Sequence, residues 1–187
     1  MNLKKFELIK KFGKNIFFQE DLSKYSWFNL GGPANILFKP ESIEQLRNFL
    51  NYINNSLEIT CLGAGSNTLI RDGGFSGVVI KLSPKFSYIK QIEKNVLEVG
   101  AATLDKNLSR YAAENSIINF EFLSCIPGSV GGTIRMNSGC YGNEISDILI
   151  SVQAIDFVFR NLFSSSYNRG CVLDFSSCPT VLLTYRK

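Results

Sequence analysis

Ile59-Thr60-Cys61-Leu62-Gly63-Ala64-Gly65-Ser66-Asn67 is the stretch of sequence that decides the fold. Its first four residues predict a buried strand, which runs directly into a loop that contains two glycines. Glycine adopts positive φ without strain, so the loop amides can form a nest for phosphate oxygens, with hydrogen bonds added by the serine and asparagine side chains. The loop has neither the Lys-Ser/Thr of a Walker loop nor the glycine spacing of a Rossmann helix. Taken alone, it is explained equally well by an ordinary glycine-rich turn.

A second glycine-rich segment spans residues 126–142. It contains Ile126-Pro127-Gly128-Ser129-Val130-Gly131-Gly132 and then Met136-Asn137-Ser138-Gly139-Cys140-Tyr141-Gly142. Proline fixes one backbone angle and glycines free others, so such a segment can wrap a flat ligand with backbone amides. A tight crossover packed against a helix is the structural alternative. Two such loops in one short chain, each next to a strand-bearing lobe, favour a bound dinucleotide.

The remaining pattern predicts two small α+β lobes that divide near residues 83–87. Strands are predicted at 34–39, 59–62, 77–82, 88–89, 96–99 and 152–157, and helices at 41–52 and 104–113. We expect Ser42 to be the N-cap of the first of these helices, with Gln45 three residues later. Residues 1–25 mix polar and apolar side chains and predict a helical or irregular lead-in.

The composition excludes several classes of protein. The 187 residues are 45% hydrophobic and 19% charged, which indicates a packed core and excludes a disordered or collagen-like chain. The net charge of +4 is scattered, so no nucleic-acid partner is expected. No apolar run is long enough to span a bilayer, and lysines interrupt the N-terminal apolar stretch that a signal peptide requires. We therefore expect a cytoplasmic protein without membrane insertion.

The residue types present also limit the chemistry. The chain has no histidine, which is the commonest metal ligand and the usual general base. The five cysteines, at positions 61, 125, 140, 171 and 178, form no CxxC pair. Neither a disulfide framework nor a zinc site is predicted, and no residue is assigned to a metal.

Four motifs together resemble one family. Trp27-Phe28-Asn29-Leu30-Gly31-Gly32-Pro33-Ala34, the Gly63–Asn67 loop and both parts of the second segment are similar, in order and spacing, to bacterial UDP-N-acetylenolpyruvoylglucosamine reductases. The resemblance runs from about Tyr25 to about Phe157. It implies an α+β chain with two small α+β subdomains of the vanillyl-alcohol-oxidase/PCMH-type FAD-binding fold, with non-covalent FAD held between them.

The resemblance also implies roles for particular residues. Gly63, Ala64, Gly65, Ser66 and Asn67 take the pyrophosphate; Pro127, Gly128, Ser129, Val130, Gly131 and Gly132 line the cofactor; Ser138, Gly139 and Tyr141 border it. The family reaction is an NADPH-dependent reduction of UDP-N-acetylglucosamine enolpyruvate to UDP-N-acetylmuramate for peptidoglycan synthesis, so a UDP-sugar is the implied substrate. Cys125 and Cys140 stand where the family commonly has small residues, and we interpret Cys140 as a small buried thiol rather than a flavin attachment point.

The chain departs from the family pattern after Phe157. Family members continue to a Tyr-Arg pair followed one residue later by Ser, and then to a substrate domain that supplies a proton-donating Ser and a Glu. None of these is recognisable here, so no catalytic residue is assigned, and Tyr185-Arg186 is interpreted as a chance dipeptide. Residues 158–187 show weak periodicity and few charges. We interpret them as an atypical tail produced by a frameshift near codon 158.

The expected organisation is a lead-in at 1–24, FAD-binding lobes at 25–85 and 86–157, the tail at 158–187, and a missing substrate domain. Three hypotheses of function remain open. The first is the family reductase, completed by a separately encoded C-terminal fragment. The second is a catalytically inactive FAD-binding fragment or pseudogene product. The third, a non-catalytic module for another nucleotide, is disfavoured by the order of the motifs.

Overall fold

The computed structural model describes residues 2–54, 56–155, 162–166 and 180–185, and it describes 2–5, 162–166 and 180–185 by their backbone alone. The chain divides into two compact units, Met1–Ser83 and Pro84–Lys187. Residues 2–24, predicted as a separate lead-in, are part of the first unit. In the described ranges, no helix has the length and apolar character needed to cross a membrane.

The first unit contains a four-stranded mixed sheet with the strand order β1-β2-β4-β3. Its elements in chain order are α1 (Asn2–Phe12), β1 (Ile16–Asp21), β2 (Pro33–Phe38), α2 (Ile43–Ile53), β3 (Ile59–Cys61) and β4 (Phe75–Ile80). Strand β1 is antiparallel to β2, whereas β4 is parallel to both of its neighbours. The predicted strands β2, β3 and β4 are confirmed within two residues at each end.

Strand β1 was not predicted, because residues 1–25 were expected to be helical or irregular. It pairs with β2 from Ile16 opposite Phe38 to Asp21 opposite Pro33. As an edge strand it is mostly half-buried or exposed, with Ile16 its one buried residue, and such a strand shows little alternation in sequence. The lead-in is therefore a helix followed by an edge strand.

Helix α2 confirms the predicted N-cap. The Gln45 amide donates to Ser42 Oγ at 3.1 Å, and the Glu41 amide donates to Gln45 Oε1 at 2.7 Å, so each side chain satisfies a backbone donor at the start of the helix. On the apolar face of α2, Phe49 stacks on Phe38 of β2 with ring centroids 3.9 Å apart. This contact fixes α2 against the sheet.

The second unit contains a five-stranded antiparallel sheet with the strand order β10-β9-β11-β6-β5. Its elements are β5 (Ile89–Glu93), β6 (Val96–Val99), α3 (Asp105–Glu114), α4 (Val130–Arg135), β7 (Gly139–Cys140), β8 (Asn143–Glu144), β9 (Leu149–Ile155), β10 (Leu162–Ser166) and β11 (Thr180–Tyr185). Helix α3 and strand β6 are confirmed, and the strand predicted at 88–89 is found at 89–93. The strand predicted at 152–157 is confirmed over 152–155, and its last two residues lie outside the described residues. Val152, Ala154 and Ile155 of β9 are fully buried, so side chains on both faces of this strand are covered.

Strands β10 and β11 lie in the segment 158–187, where weak periodicity predicted no regular element. Strand β10 pairs with β9, and β11 lies between β9 and β6. Neither Leu-Phe-Ser-Ser-Ser at 162–166 nor Thr-Val-Leu-Leu-Thr-Tyr at 180–185 alternates regularly between polar and apolar residues, so the sequence pattern indicates neither strand. Phe157 and the rest of the tail lie outside the described residues, and the frameshift stays a prediction.

Candidate functional site

The loop after β3 bends sharply at Gly65. Gly65 has a φ of +76°, and a Cβ atom at this position would lie 2.0 Å from the carbonyl oxygen of Tyr25. The Gly65 carbonyl also accepts a hydrogen bond of 3.1 Å from the Trp27 amide. Both the backbone conformation and the close contact require glycine here. The predicted glycine loop is thus fixed against the segment that follows β1.

The backbone amides of residues 63–67 are free donors. None of them donates a hydrogen bond to another residue that the structure describes, whereas the preceding Leu62 amide donates to Ile80 at 2.9 Å. Gly63 and Asn67 are exposed, and Ala64 and Ser66 are half-buried. Adjacent amides left unpaired by the fold in a bent loop can converge on an anion. The structure therefore keeps together all five residues that were predicted to bind pyrophosphate.

A positive charge adjoins this loop. The Lys81 ammonium group, at the end of β4, donates to the Gly63 carbonyl. Burial, and secondarily the neighbouring charge of Lys39, lowers the pKa of Lys81. The Lys39 ammonium donates to the Tyr25 hydroxyl at 2.9 Å, and that hydroxyl donates to Glu20 at 3.0 Å. The sequence did not single out these lysines, because a lysine after a strand has the pattern of an ordinary surface residue.

The motif Trp27–Ala34 packs backbone to backbone against the turn at Arg71–Gly74. The Gly32 amide donates to Arg71 at 2.9 Å, and a Cβ at Gly32 would lie 1.9 Å from the Asp72 carbonyl. A Cβ at Gly74 would lie equally close, 1.9 Å, to the Pro33 carbonyl. These glycines allow two backbone segments to touch. The motif therefore supports the glycine loop structurally.

The second glycine segment contains a helix and is not an open loop. Helix α4 begins after Ser129, and its first amides are already bonded inside the unit: Val130 donates to Thr103 at 2.8 Å and Gly131 to Ala101 at 2.9 Å. We expected the amides of this segment to wrap a ligand. These two do not, because carbonyls of the preceding segment satisfy the unpaired donors of the first helical turn. The crossover packed against a helix, the alternative considered from the sequence, describes this part better.

Gly132 is the glycine of this segment that neither a close contact nor a positive φ explains, since Gly142 has open space around it but a φ of +80°. At Gly128, Gly131 and Gly139, an added Cβ would come within 3.1 Å of other protein atoms. At Gly132 the nearest atom would be Ser129 Oγ at 3.5 Å, an ordinary contact. The half-buried surface at Gly132 is therefore a place where a ligand can approach the backbone.

The hairpin of β7 and β8 carries the remaining predicted residues. Ser138 precedes it and donates its amide to Thr133 at 2.9 Å. Its two-residue turn consists of Tyr141 and Gly142, with φ of +53° and +80°, as in a type I′ turn. The side chain of Tyr141 is 85% exposed and borders a cavity of about 360 Å³. Besides Tyr141, the cavity is lined by Asn119, Glu121, Phe122, Ser124, Cys125 and Asn143, which sequence analysis did not assign to a site.

Asp105, at the start of α3, has a fully buried carboxyl group that lies next to this segment. Its Oδ2 accepts a hydrogen bond of 2.5 Å from the Thr133 hydroxyl, whereas its Oδ1 has no partner among the residues that the structure describes. Its backbone amide donates to Gly128 at 3.1 Å. Burial raises the pKa of Asp105 to about 7, against the opposing effect of the Thr133 hydrogen bond. The sequence does not indicate this buried group, because an aspartate in a first helical turn is ordinarily solvated.

Comparison with protein families matches residues 34–157 to the FAD binding domain family. The UDP-N-acetylenolpyruvoylglucosamine reductase of Pelagibacter ubique (strain HTCC1062) is 47% identical over 154 residues, which are 80% of this chain and 51% of that protein. The enzyme of the same name from Rickettsia canadensis (strain McKiel) is 48% identical over 137 residues, 73% of this chain and 46% of that protein. The chain thus spans about half the length of the curated relatives it matches.

Solved structures give the same result for the fold. The crystal structure of UDP-N-acetylenolpyruvylglucosamine reductase (MurB) from Thermus caldophilus superposes with a TM-score of 0.69 at 26% identity, covering 91% of this chain and 59% of that one. The p-cresol methylhydroxylase structure has a TM-score of 0.66 at 16% identity, covering 100% of this chain and 44% of that one, and bears on the fold alone. The predicted α+β fold of the vanillyl-alcohol-oxidase/PCMH type is confirmed.

Proposed function

Because this chain belongs to the FAD binding domain family, we propose that it binds FAD non-covalently, with the pyrophosphate on the loop Gly63–Asn67. The observation that carries this proposal is the row of unpaired amides around Gly65, in a loop whose bend requires glycine. A pyrophosphate needs several donors within one small concave surface, and these amides supply them without side-chain reorganisation. Lys81 adds a positive charge at the base of the loop.

In the second unit, we propose that the cofactor-lining residues include Gly132 and Tyr141, with Pro127, Gly128, Ser129, Val130, Gly131, Ser138 and Gly139 around them. Gly132 offers an open backbone face, and Tyr141 offers an exposed ring for stacking on a flat group. Because the amides of Val130 and Gly131 are bonded internally, these two residues would shape the surface and not donate to the cofactor.

We extend the proposal to the activity in the relatives' name, the reduction of UDP-N-acetylenolpyruvoylglucosamine. UDP-N-acetylmuramate as the product and NADPH as the reductant belong to the proposal through the family resemblance. This proposal implies a cytoplasmic protein that acts in peptidoglycan synthesis on a UDP-sugar substrate. FAD, when bound, supplies hydride chemistry that no protein side chain provides. The chain's own described residues would bind and orient the cofactor, through the loop amides, Lys81 and Gly132.

A second candidate is FAD binding without turnover by this polypeptide alone. It is favoured by the chemistry of the described site, which consists of amides, glycines and lysines and contains no assigned proton donor. The proton donor of the reductase would then come from outside the described residues, for which a separately encoded fragment is one proposed source.

An anaerobic experiment distinguishes the two candidates. The purified chain is loaded with FAD, NADPH is added while flavin absorbance is followed, and the enolpyruvyl UDP-sugar is added last. Bleaching by NADPH followed by return of the absorbance with substrate supports the reductase. Retained flavin that the substrate does not reoxidise supports the second candidate. A chain that retains no flavin contradicts both.

Charge removal at Lys81 tests the proposed pyrophosphate site. We expect Lys81→Gln to raise the Kd for FAD roughly five- to tenfold, because a nearby charge at partial burial contributes about 1 kcal/mol to anion binding. Lys81→Arg keeps the charge and is expected to bind FAD close to the unmodified level. The matched control is Lys90→Gln, an exposed lysine on β5. Unchanged FAD affinity in Lys81→Gln would contradict the role given to Lys81.

A further inference from the structure

Two thiols meet in the second unit. Cys125 ends the 3₁₀ turn Glu121–Cys125, and Cys140 ends strand β7. The turn and β7 pack against each other, so the two thiols lie close enough to interact electrostatically. Both cysteines are free, and residues 126–139 lie between them in sequence. The fold therefore brings together a dithiol that the spacing in sequence did not predict.

The two thiols differ in accessibility. Cys125 is exposed and lies in the wall of the cavity beside Tyr141, whereas Cys140 is half-buried against the apolar core. Burial, followed by the electrostatic interaction with Cys125, raises the pKa of Cys140, although the Tyr141 amide opposes this. A dissolved oxidant therefore reaches Cys125 first, while Cys140 remains a protonated thiol held against it.

We propose that Cys125 and Cys140 form a peroxide-sensitive dithiol site, in which Cys125 is oxidised first and Cys140 closes a disulfide. The Cys125 thiolate attacks one oxygen of hydrogen peroxide, which gives a sulfenic acid and releases hydroxide that becomes water. The Cys140 sulfur then attacks the sulfenic sulfur, loses its proton and displaces a second water. Two thiols and one peroxide give one disulfide and two waters, so atoms and electrons balance.

The disulfide would close a loop that contains helix α4 and residues 126–139. Cross-linking the ends of such a loop restricts its conformations. Oxidation would therefore rigidify the second glycine segment, whatever ligand that segment binds. The proposal does not depend on FAD binding.

The test uses the reduced full-length chain, treated with hydrogen peroxide, capped with N-ethylmaleimide, digested and analysed by mass spectrometry. We expect a peptide pair joined through Cys125 and Cys140, lighter by two hydrogens than the sum of the free peptides and separated by reductant. In Cys140→Ser we expect the cross-link to be lost and dimedone to trap a sulfenic acid at Cys125. Alkylation of both cysteines after peroxide treatment would overturn the proposal.

Matched variants exclude disulfides from other cysteines. Cys61→Ser changes a cysteine of the first unit and is expected to leave the cross-link unchanged. The double variant Cys171→Ser/Cys178→Ser is also expected to form it at the unmodified yield. Loss of the Cys125–Cys140 peptide in either variant would contradict direct oxidation of this pair.

Discussion

Gly65→Ala is expected to abolish measurable FAD binding and to lower the free energy of unfolding by roughly 2–4 kcal/mol. The alanine would be held at a φ of +76°, with its Cβ 2.0 Å from the Tyr25 carbonyl oxygen. The loop must shift to relieve this contact, and the shift would disperse the amides that we assign to the pyrophosphate. Urea unfolding gives the stability, and flavin fluorescence anisotropy gives the FAD affinity.

Two other glycines serve as controls. At Gly13, φ is +56° but nothing lies within 4 Å of an added Cβ, so Gly13→Ala is expected to cost about 1 kcal/mol from backbone strain alone. At Gly73 neither a positive φ nor a contact within 4 Å is found, so Gly73→Ala is expected to stay within about 0.5 kcal/mol. A Gly65→Ala protein as stable as Gly73→Ala, with unmodified FAD affinity, would contradict the assignment.

The second large effect concerns the pH dependence of stability at Asp105. Burial raises the pKa of Asp105 from the ordinary aspartate value of 3.8 to about 7 in the folded chain. Between these values the folded state holds the proton and the unfolded state releases it, so the free energy of unfolding falls as pH rises. The stability contributed by the neutral carboxyl is complete below about pH 4 and lost above about pH 7. Three pKa units correspond to roughly 4 kcal/mol, an upper estimate.

Asp105→Asn is expected to remove this dependence and to be more stable than the unmodified chain at pH 8. The amide keeps an oxygen that can accept the Thr133 hydrogen bond, and it cannot ionise. Urea unfolding at several pH values from 4 to 9 measures the difference between the two curves. Asp72→Asn, in the exposed turn before β4, is the control and should follow the unmodified curve. Parallel curves for Asp105→Asn and the unmodified chain would contradict a buried neutral carboxyl.

Features set by neighbouring residues were predicted from the sequence. The Ser42 cap and the β5–β6 pair depend on contacts within a few positions, and both are found. Strands β1, β10 and β11 were missed because their own patterns are weak, and β11 also pairs with β6, which lies far away in sequence.

The same distinction applies to the candidate site. Gly65 was identified because a strand followed by two closely spaced glycines is a local pattern. The Val130 and Gly131 amides donate to carbonyls of the preceding segment and are therefore not available to a ligand. The sequence could not predict this, because it depends on how α4 packs. Likewise, the burial of Asp105 and the proximity of Cys125 to Cys140 depend on tertiary contacts. The local sequence around an aspartate or a cysteine does not predict them.

The most direct test of pyrophosphate binding at Gly63–Asn67 compares two flavins. The full chain is titrated with FAD and, separately, with riboflavin, which has the same ring system but no pyrophosphate, and fluorescence anisotropy is followed. We predict saturation with one equivalent of FAD, and binding of riboflavin weaker by at least about a hundredfold, since several hydrogen bonds to a charged group are lost. Equal affinity for the two flavins, or no saturable binding of FAD, would contradict the proposed site.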